Sequence, residues 1–267
     1  MRKLREPEVV KLMFPSFDEE KRALPQRAET CTGAALFDDP MFRDGQLVRR
    51  NSWPFIEQEG DLTYGSGGDR LKIVWLRTHT YADGTAGGPL AVIRSGERFA
   101  ELFAIGALRS QSERTKLGTA RMGGDFLVTA ENDGCTGRKA GTACQTVMSV
   151  FLPRRGQLGT VVDIPVERIA YSGKAERGAM GVLEYHLTSV PEFRADAIRF
   201  VEQVRVKDDA GRDLRKAEHE RIFTIDDKGK ATASGPSLWD QVVKSDDAPG
   251  DAPRPRDTSD AKAPRSR

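Results

Sequence analysis

Ile198-Arg-Phe-Val-Glu-Gln-Val-Arg-Val-Lys207 decides how this chain is read. Ile198, Phe200, Val204 and Val206 fall on one side of an extended chain, and Arg199, Gln203, Arg205 and Lys207 on the other. Successive side chains of a strand alternate between faces, so the segment reads as a strand with one dry and one wet face. It runs into Asp208-Asp-Ala-Gly211, where glycine supplies the positive φ of a tight turn. Residues 212–225 return as the antiparallel partner, with a bulge expected because the apolar parity shifts between Leu214 and Phe223. Asp226-Asp-Lys-Gly229 turns the chain again. Pro236-Ser-Leu-Trp-Asp-Gln-Val-Val243 reads as a short closing helix, packed through Leu238, Trp239 and Val242.

The same grammar extends upstream. Val182–Ser189 alternates Leu183, Tyr185 and Leu187 against Glu184, His186 and Thr188. Strand-like runs lie at 158–164, 146–152, 125–131, 89–94 and 71–80. Glu97–Leu108 fits either period and is assigned to strand because turns lie close on both sides. About eleven strands with short connections, and no strand–helix–strand alternation, predict a mainly β protein. The expected architecture is an antiparallel meander forming a large curved sheet, barrel or sandwich, with few short helices.

The ends differ from the middle. Residues 1–45 read as an extended N-terminal arm that docks through Val9-Val-Lys-Leu-Met-Phe14, and residues 46–244 as a single β-rich domain. Residues 245–267 contain no aromatic, Leu, Ile or Val, so burial cannot offset their ordering entropy and a disordered tail is expected. The 267 residues suffice for one large domain or two small ones. Basic and acidic residues number 42 and 40, a balance that gives no global pull toward nucleic acid or anionic membrane. The clusters Arg49-Arg50, Arg154-Arg155 and Arg212-Arg215-Lys216 have acidic neighbours and no basic, aromatic-rich strand to stack bases, so no nucleic-acid partner is expected. No run approaches a transmembrane span.

Cys135 and Cys144 flank a polar loop between two of the strand-like runs. A disulfide here would pin a hairpin mouth and stabilise the fold by about 2–3 kcal/mol on the chain-entropy model. Such bridges persist mainly outside the cytosol, so a secreted or periplasmic protein of bacterial type is expected, with a cytoplasmic one as the alternative. The basic start Met1-Arg-Lys-Leu-Arg5 lacks the apolar stretch of a leader, so the extracytoplasmic reading requires a leader ahead of Met1. Cys31 is left over as a free thiol or an alternative partner.

Chemistry is sparse. His79, His186 and His219 are the only histidines, with no metal-ligand spacing among them, so neither a metal nor a cofactor is expected. His79 is the catalytic candidate because the loop Asp83-Gly-Thr-Ala-Gly-Gly88 follows it and Asp83 is a carboxylate within reach. Gly65-Ser-Gly-Gly-Asp69 lacks the lysine of a phosphate loop and reads as a turn. Asp125, Glu131, Asn132 and Asp133 are oxygen-rich but fit no regular calcium spacing. Trp53, Phe55, Trp75 and Tyr81 are the candidate ligand-lining aromatics, against the ordinary role of filling the core. Three functions follow. The first is a non-catalytic extracytoplasmic binding or structural protein, taking a small apolar ligand or an envelope component. The second is a hydrolase centred on His79 and the 83–88 loop. The third is a cytosolic interaction scaffold using its tails.

Overall fold

Turn glycines and alternating strands build a structure that is almost entirely β. A computed structural model describes residues 4–25, 28–30, 47–63, 70–111, 115–136, 143–171 and 183–247. In chain order the elements are helix α1 (Glu6–Met13), then β1 (Leu47–Thr63), β2 (Arg70–Tyr81), β3 (Thr85–Ser95), β4 (Ala100–Gln111), β5 (Lys116–Met122) and β6 (Asp125–Thr136). They continue with β7 (Ala143–Arg154), β8 (Gln157–Tyr171), β9 (Glu184–Phe193), β10 (Ala197–Lys207), β11 (Asp213–Ile225), β12 (Ala231–Ala233) and helix α2 (Leu238–Asp247). The twelve strands form one sheet that does not close on itself.

Two antiparallel meanders make up that sheet. The first runs β1–β2–β3–β4, and the second runs from β5 through β12. They join where β8 starts beside β4 in a single parallel pairing, Ile105↔Gln157. Ile105 N–H donates to the Gly156 carbonyl at 3.1 Å there. Gly106 makes this approach feasible, because a Cβ at that position would lie 2.1 Å from the Leu158 carbonyl oxygen.

Within the first meander, β2 and β3 are buried on both faces. Leu71, Ile73, Trp75, Leu90, Val92 and Leu108 pack on Phe126, Val128, Phe151 and Leu158 of the second meander. Val74, Leu76, Ala91 and Ile93 face the other way, under Val9, Val10, Met13, Phe14, Phe17 and Leu24. Of the described residues in the N-terminal segment, 6–13 thus form a helix and 9–24 pack on the sheet, where an extended arm with one docking point was expected. Pro7 stands in the first turn of α1, Glu8 accepts the Arg5 N–H at 2.8 Å, and Glu6 accepts the Ile56 N–H at 3.0 Å.

The second meander follows the sequence pattern closely. β10 alternates between buried and more exposed positions as read from residues 198–207. Its dry face packs with β9 under α2, through Tyr185, Leu187, Val204, Val206, Leu238, Trp239 and Val242. The bulge sits at Leu214, where the register passes from Val206↔Arg215 to Lys207↔Asp213 and leaves Leu214 49% exposed. Gly211 takes φ 77° in the turn, and Asp208 accepts the N–H groups of Ala210 at 3.0 Å and Arg212 at 2.8 Å.

Two strands escape the periodic pattern. β1 carries Arg49-Arg50 and Pro54, and β5 is the short Lys-Leu-Gly-Thr-Ala-Arg-Met. Both are fixed by pairing with a neighbour rather than by their own alternation.

Candidate functional site

The register of β6 and β7 sets Cys135 directly opposite Cys144. Directly opposed residues of an antiparallel pair hold their Cα atoms about 4.5–5.5 Å apart, inside the range a disulfide spans. Beside this pair lies a cleft of about 200 Å³, lined by Asp133, Cys144, Gln145, Thr146, Glu167 and Ile169, among others. The topology explains the grouping. Asp133, Thr146 and Glu167 stand in one cross-strand row over β6, β7 and β8. Thr146 donates its hydroxyl to Asp133 Oδ1 at 2.7 Å, and the His186 imidazole meets Glu167 Oε1 at 2.9 Å from β9. The cleft therefore presents two carboxylates, each with one neutral or titratable partner, on a face that water reaches.

A second polar cluster occupies the far end of β2, β3 and β4. Thr78 donates its hydroxyl to the Gly87 carbonyl at 3.2 Å and lies 2.8 Å from His79 Nδ1. The His79 ring stacks on Tyr81 at 6.4 Å between centroids, and the Arg109 guanidinium lies 3.7 Å from the Tyr81 ring centre. Arg109 also donates to Asp83 at 3.0 Å and to Thr85 at 3.0 Å.

Asp83 does not reach His79. Its carboxylate accepts the Thr85 hydroxyl at 2.6 Å, the Thr85 N–H at 2.9 Å and Arg109. Burial pushes the Asp83 carboxyl up, but the Thr85 bonds and then Arg109 outweigh it and hold the group below the ordinary range. Burial raises the Tyr81 phenol, with Arg109 opposing and Asp83 assisting. The cluster is an ionised, internally satisfied ion pair beside a neutral phenol and a histidine that is only 3% exposed.

Gln111 links the two sites. Gln111 donates its side-chain amide to the Asp83 carbonyl at 3.5 Å, and its backbone N–H to Asn132 Oδ1 at 2.9 Å. Asn132 precedes Asp133 of the cleft, so a polar path runs from the His79 loop to the cysteine hairpin.

The aromatic candidates do not gather into one groove. Trp75 is fully buried between the meanders, and its indole N–H has no hydrogen-bond partner among the described residues. Tyr81 is buried on the opposite face of β2, because the bulge between Trp75 and His79 changes the parity. Trp53 and Phe55 stand on β1, and their side chains lie outside the described residues, as do Cys31 and the Gly65–Asp69 turn. The oxygen-rich set is dispersed. Asn132 serves Gln111, Asp133 serves Thr146, and Asp125 lies 3.9 Å from Arg154. Among the described residues, no three His, Cys, Asp or Glu side chains are placed to hold a metal ion.

Arg109, Gln111, Thr146 and Glu167 were not singled out from the sequence. Their signal is register, which appears only once the strands are paired. Comparison with family models, curated proteins and solved structures finds no match for the chain.

Proposed function

We propose that this is a non-catalytic extracytoplasmic binding protein, with its ligand held in the cleft beside a Cys135–Cys144 disulfide. The observation that carries the proposal is the direct opposition of the two cysteines across β6 and β7, on the rim of that cleft. A bridge at this point would fix the mouth of the hairpin and hold Asp133 and Cys144 in place on neighbouring strands.

The cleft suits a small polar ligand. Its volume of about 200 Å³ is below that of drug-sized pockets, and Asp133 and Glu167 supply acceptor oxygens for an amine or a polyol. The His79 cluster contributes rigidity at the other end of the polar path. A hydrolytic base would need its carboxylate on the imidazole, whereas Asp83 is spent on Thr85 and Arg109.

Titration calorimetry with a panel of small diamines, amino acids and sugars tests the proposal. Binding by the oxidised protein is expected for at least one member, with about tenfold or greater loss in Asp133→Asn and Glu167→Gln. Equal binding in both variants would move the ligand away from this cleft.

A further inference from the structure

We propose that β11 carries a homodimer interface, in which two copies of the chain pair antiparallel along their β11 edges about a twofold axis at Ala217.

One edge of β11 is covered by β10 along its length. On the other, β12 pairs only with Phe223, Thr224 and Ile225. Ile222 is satisfied just beyond it, since Ser234 N–H donates to the Ile222 carbonyl at 2.8 Å and Ile222 N–H donates to Ser234 Oγ at 3.0 Å. Alternate residues of an antiparallel strand direct their main-chain groups to the same side. The N–H and C=O groups of Glu220, Glu218 and Lys216 therefore point the same way as those of Ile222. Among the described residues, no strand pairs with them there. All three residues are exposed.

Charge selects both the partner and the register. Only a register that pairs these even-numbered residues with each other can form the ladder. Centred on Lys216, it opposes lysine to lysine. Centred on Glu218, it opposes that glutamate to itself and Arg215 to Arg221, against the attraction of Lys216 for Glu220. Centred on His219, it opposes Glu218 to Glu220 twice. Centred on Ala217, it opposes Lys216 to Glu218 on both sides of the axis, with Arg215 against His219. Only this last register is complementary without a clash of formal charges, and it places the small Ala217 at the closest-approach pair.

Among the described residues, none forms an ion pair with Lys216. Its cross-strand neighbour on β10 is Arg205, a like charge. Among the described residues, Glu218 is held by a neutral donor alone, Gln203 Nε2 at 2.9 Å. Charged edges commonly repel other chains, and a strand of one sign would repel its own copy. Here Arg215-Lys216 is basic and Glu218 and Glu220 are acidic, so antiparallel apposition attracts.

The test is sedimentation of the full chain up to roughly 0.2 mM, a range that captures a weak interface. The wild type is expected to pass from monomer to dimer as concentration rises. Lys216→Glu alone and Glu218→Lys alone are each expected to weaken the dimer by about tenfold or more. The first variant is acidic at both positions and the second is basic at both. Mixing them sets acid against base on both sides of the axis, so a heterodimer is expected. The double variant K216E/E218K is expected to dimerise like the wild type. A wild type that stays monomeric throughout overturns the proposal, whether or not the variants fold. A mixture that stays monomeric, with both variants folded by circular dichroism, overturns the register.

Discussion

β2 and β3 are dry on both faces, whereas β10 is dry on one and β11 beside it is fully buried only at Phe223. β3 is buried at nearly every position from Ala86 to Ser95, because α1 and its flanking segment cover one side and the second meander covers the other. β10 alternates, and its wet face carries Arg199, Gln203 and Arg205. Burial on both faces produces a continuous apolar run with no period to read. Burial on one face produces the alternation that declares a strand. The two meanders share one sheet, yet their stability should be organised differently: packing in the first, polar and ionic contacts as well in the second.

The largest test of that difference is Trp75→Ala. It removes a fully buried ring between the meanders and is expected to cost about 3–5 kcal/mol in chemical denaturation. A cost under about 1 kcal/mol would mean that this interface is not the core. Next comes the cysteine hairpin. Cys135→Ser with Cys144→Ser is expected to lower stability by about 2–3 kcal/mol in protein prepared oxidised, and to change nothing in protein held reduced.

Glu202 is the counterpart in the second meander. It is only 4% exposed, accepts the Leu238 N–H at the start of α2 at 2.7 Å, and lies 3.4 Å from Arg221. Glu202→Ala leaves that cation and amide without their acceptor and is expected to cost about 1.5–3 kcal/mol. Hydrogen exchange should rise first in α2 and leave β2 and β3 protected.

Acid provides a fourth test. Hydrogen bonds from Arg199 lower the Glu192 and Glu220 carboxyls, and the Arg212 backbone and side chain lower Asp208. A carboxyl with a lowered folded pKa stabilises the fold above its unfolded value, near pH 4, and loses that contribution as pH falls through the folded value. Exchange protection in β9 to β11 should therefore fall below pH 4, and so should that of the β2–β3 turn, where Asp83 is likewise lowered, before the buried centres of β2 and β3 lose theirs. Simultaneous loss would show that the two meanders share one acid response. The smallest effect is expected at Val190, 65% exposed on the wet face, where Val190→Thr should change stability by less than about 0.5 kcal/mol.

Legibility followed the same division. The hairpin at 198–225, the closing helix and the strand-rich class were readable because each has a period or a turn glycine. α1 was not, since Pro7 and dense charge hide a single amphipathic turn pair whose partner face lies on β2 and β3. β1 was hidden by Arg49-Arg50 and Pro54. At the site, His79, Asp83, Cys135 and Cys144 stood out as residue types. The residues around them, Arg109, Gln111, Thr146 and Glu167, did not, because cross-strand register brings them together from positions far apart in the chain.

The proposals of extracytoplasmic residence and of a fixed cleft both rest on the cysteine pair, so counting thiols by maleimide mass-tagging in unfolded, unreduced protein is the most direct measurement. Protein prepared under oxidising export should take one tag, at Cys31, and two more after reduction, mapping to Cys135 and Cys144. Three tags before reduction would contradict the bridge and the compartment inferred from it.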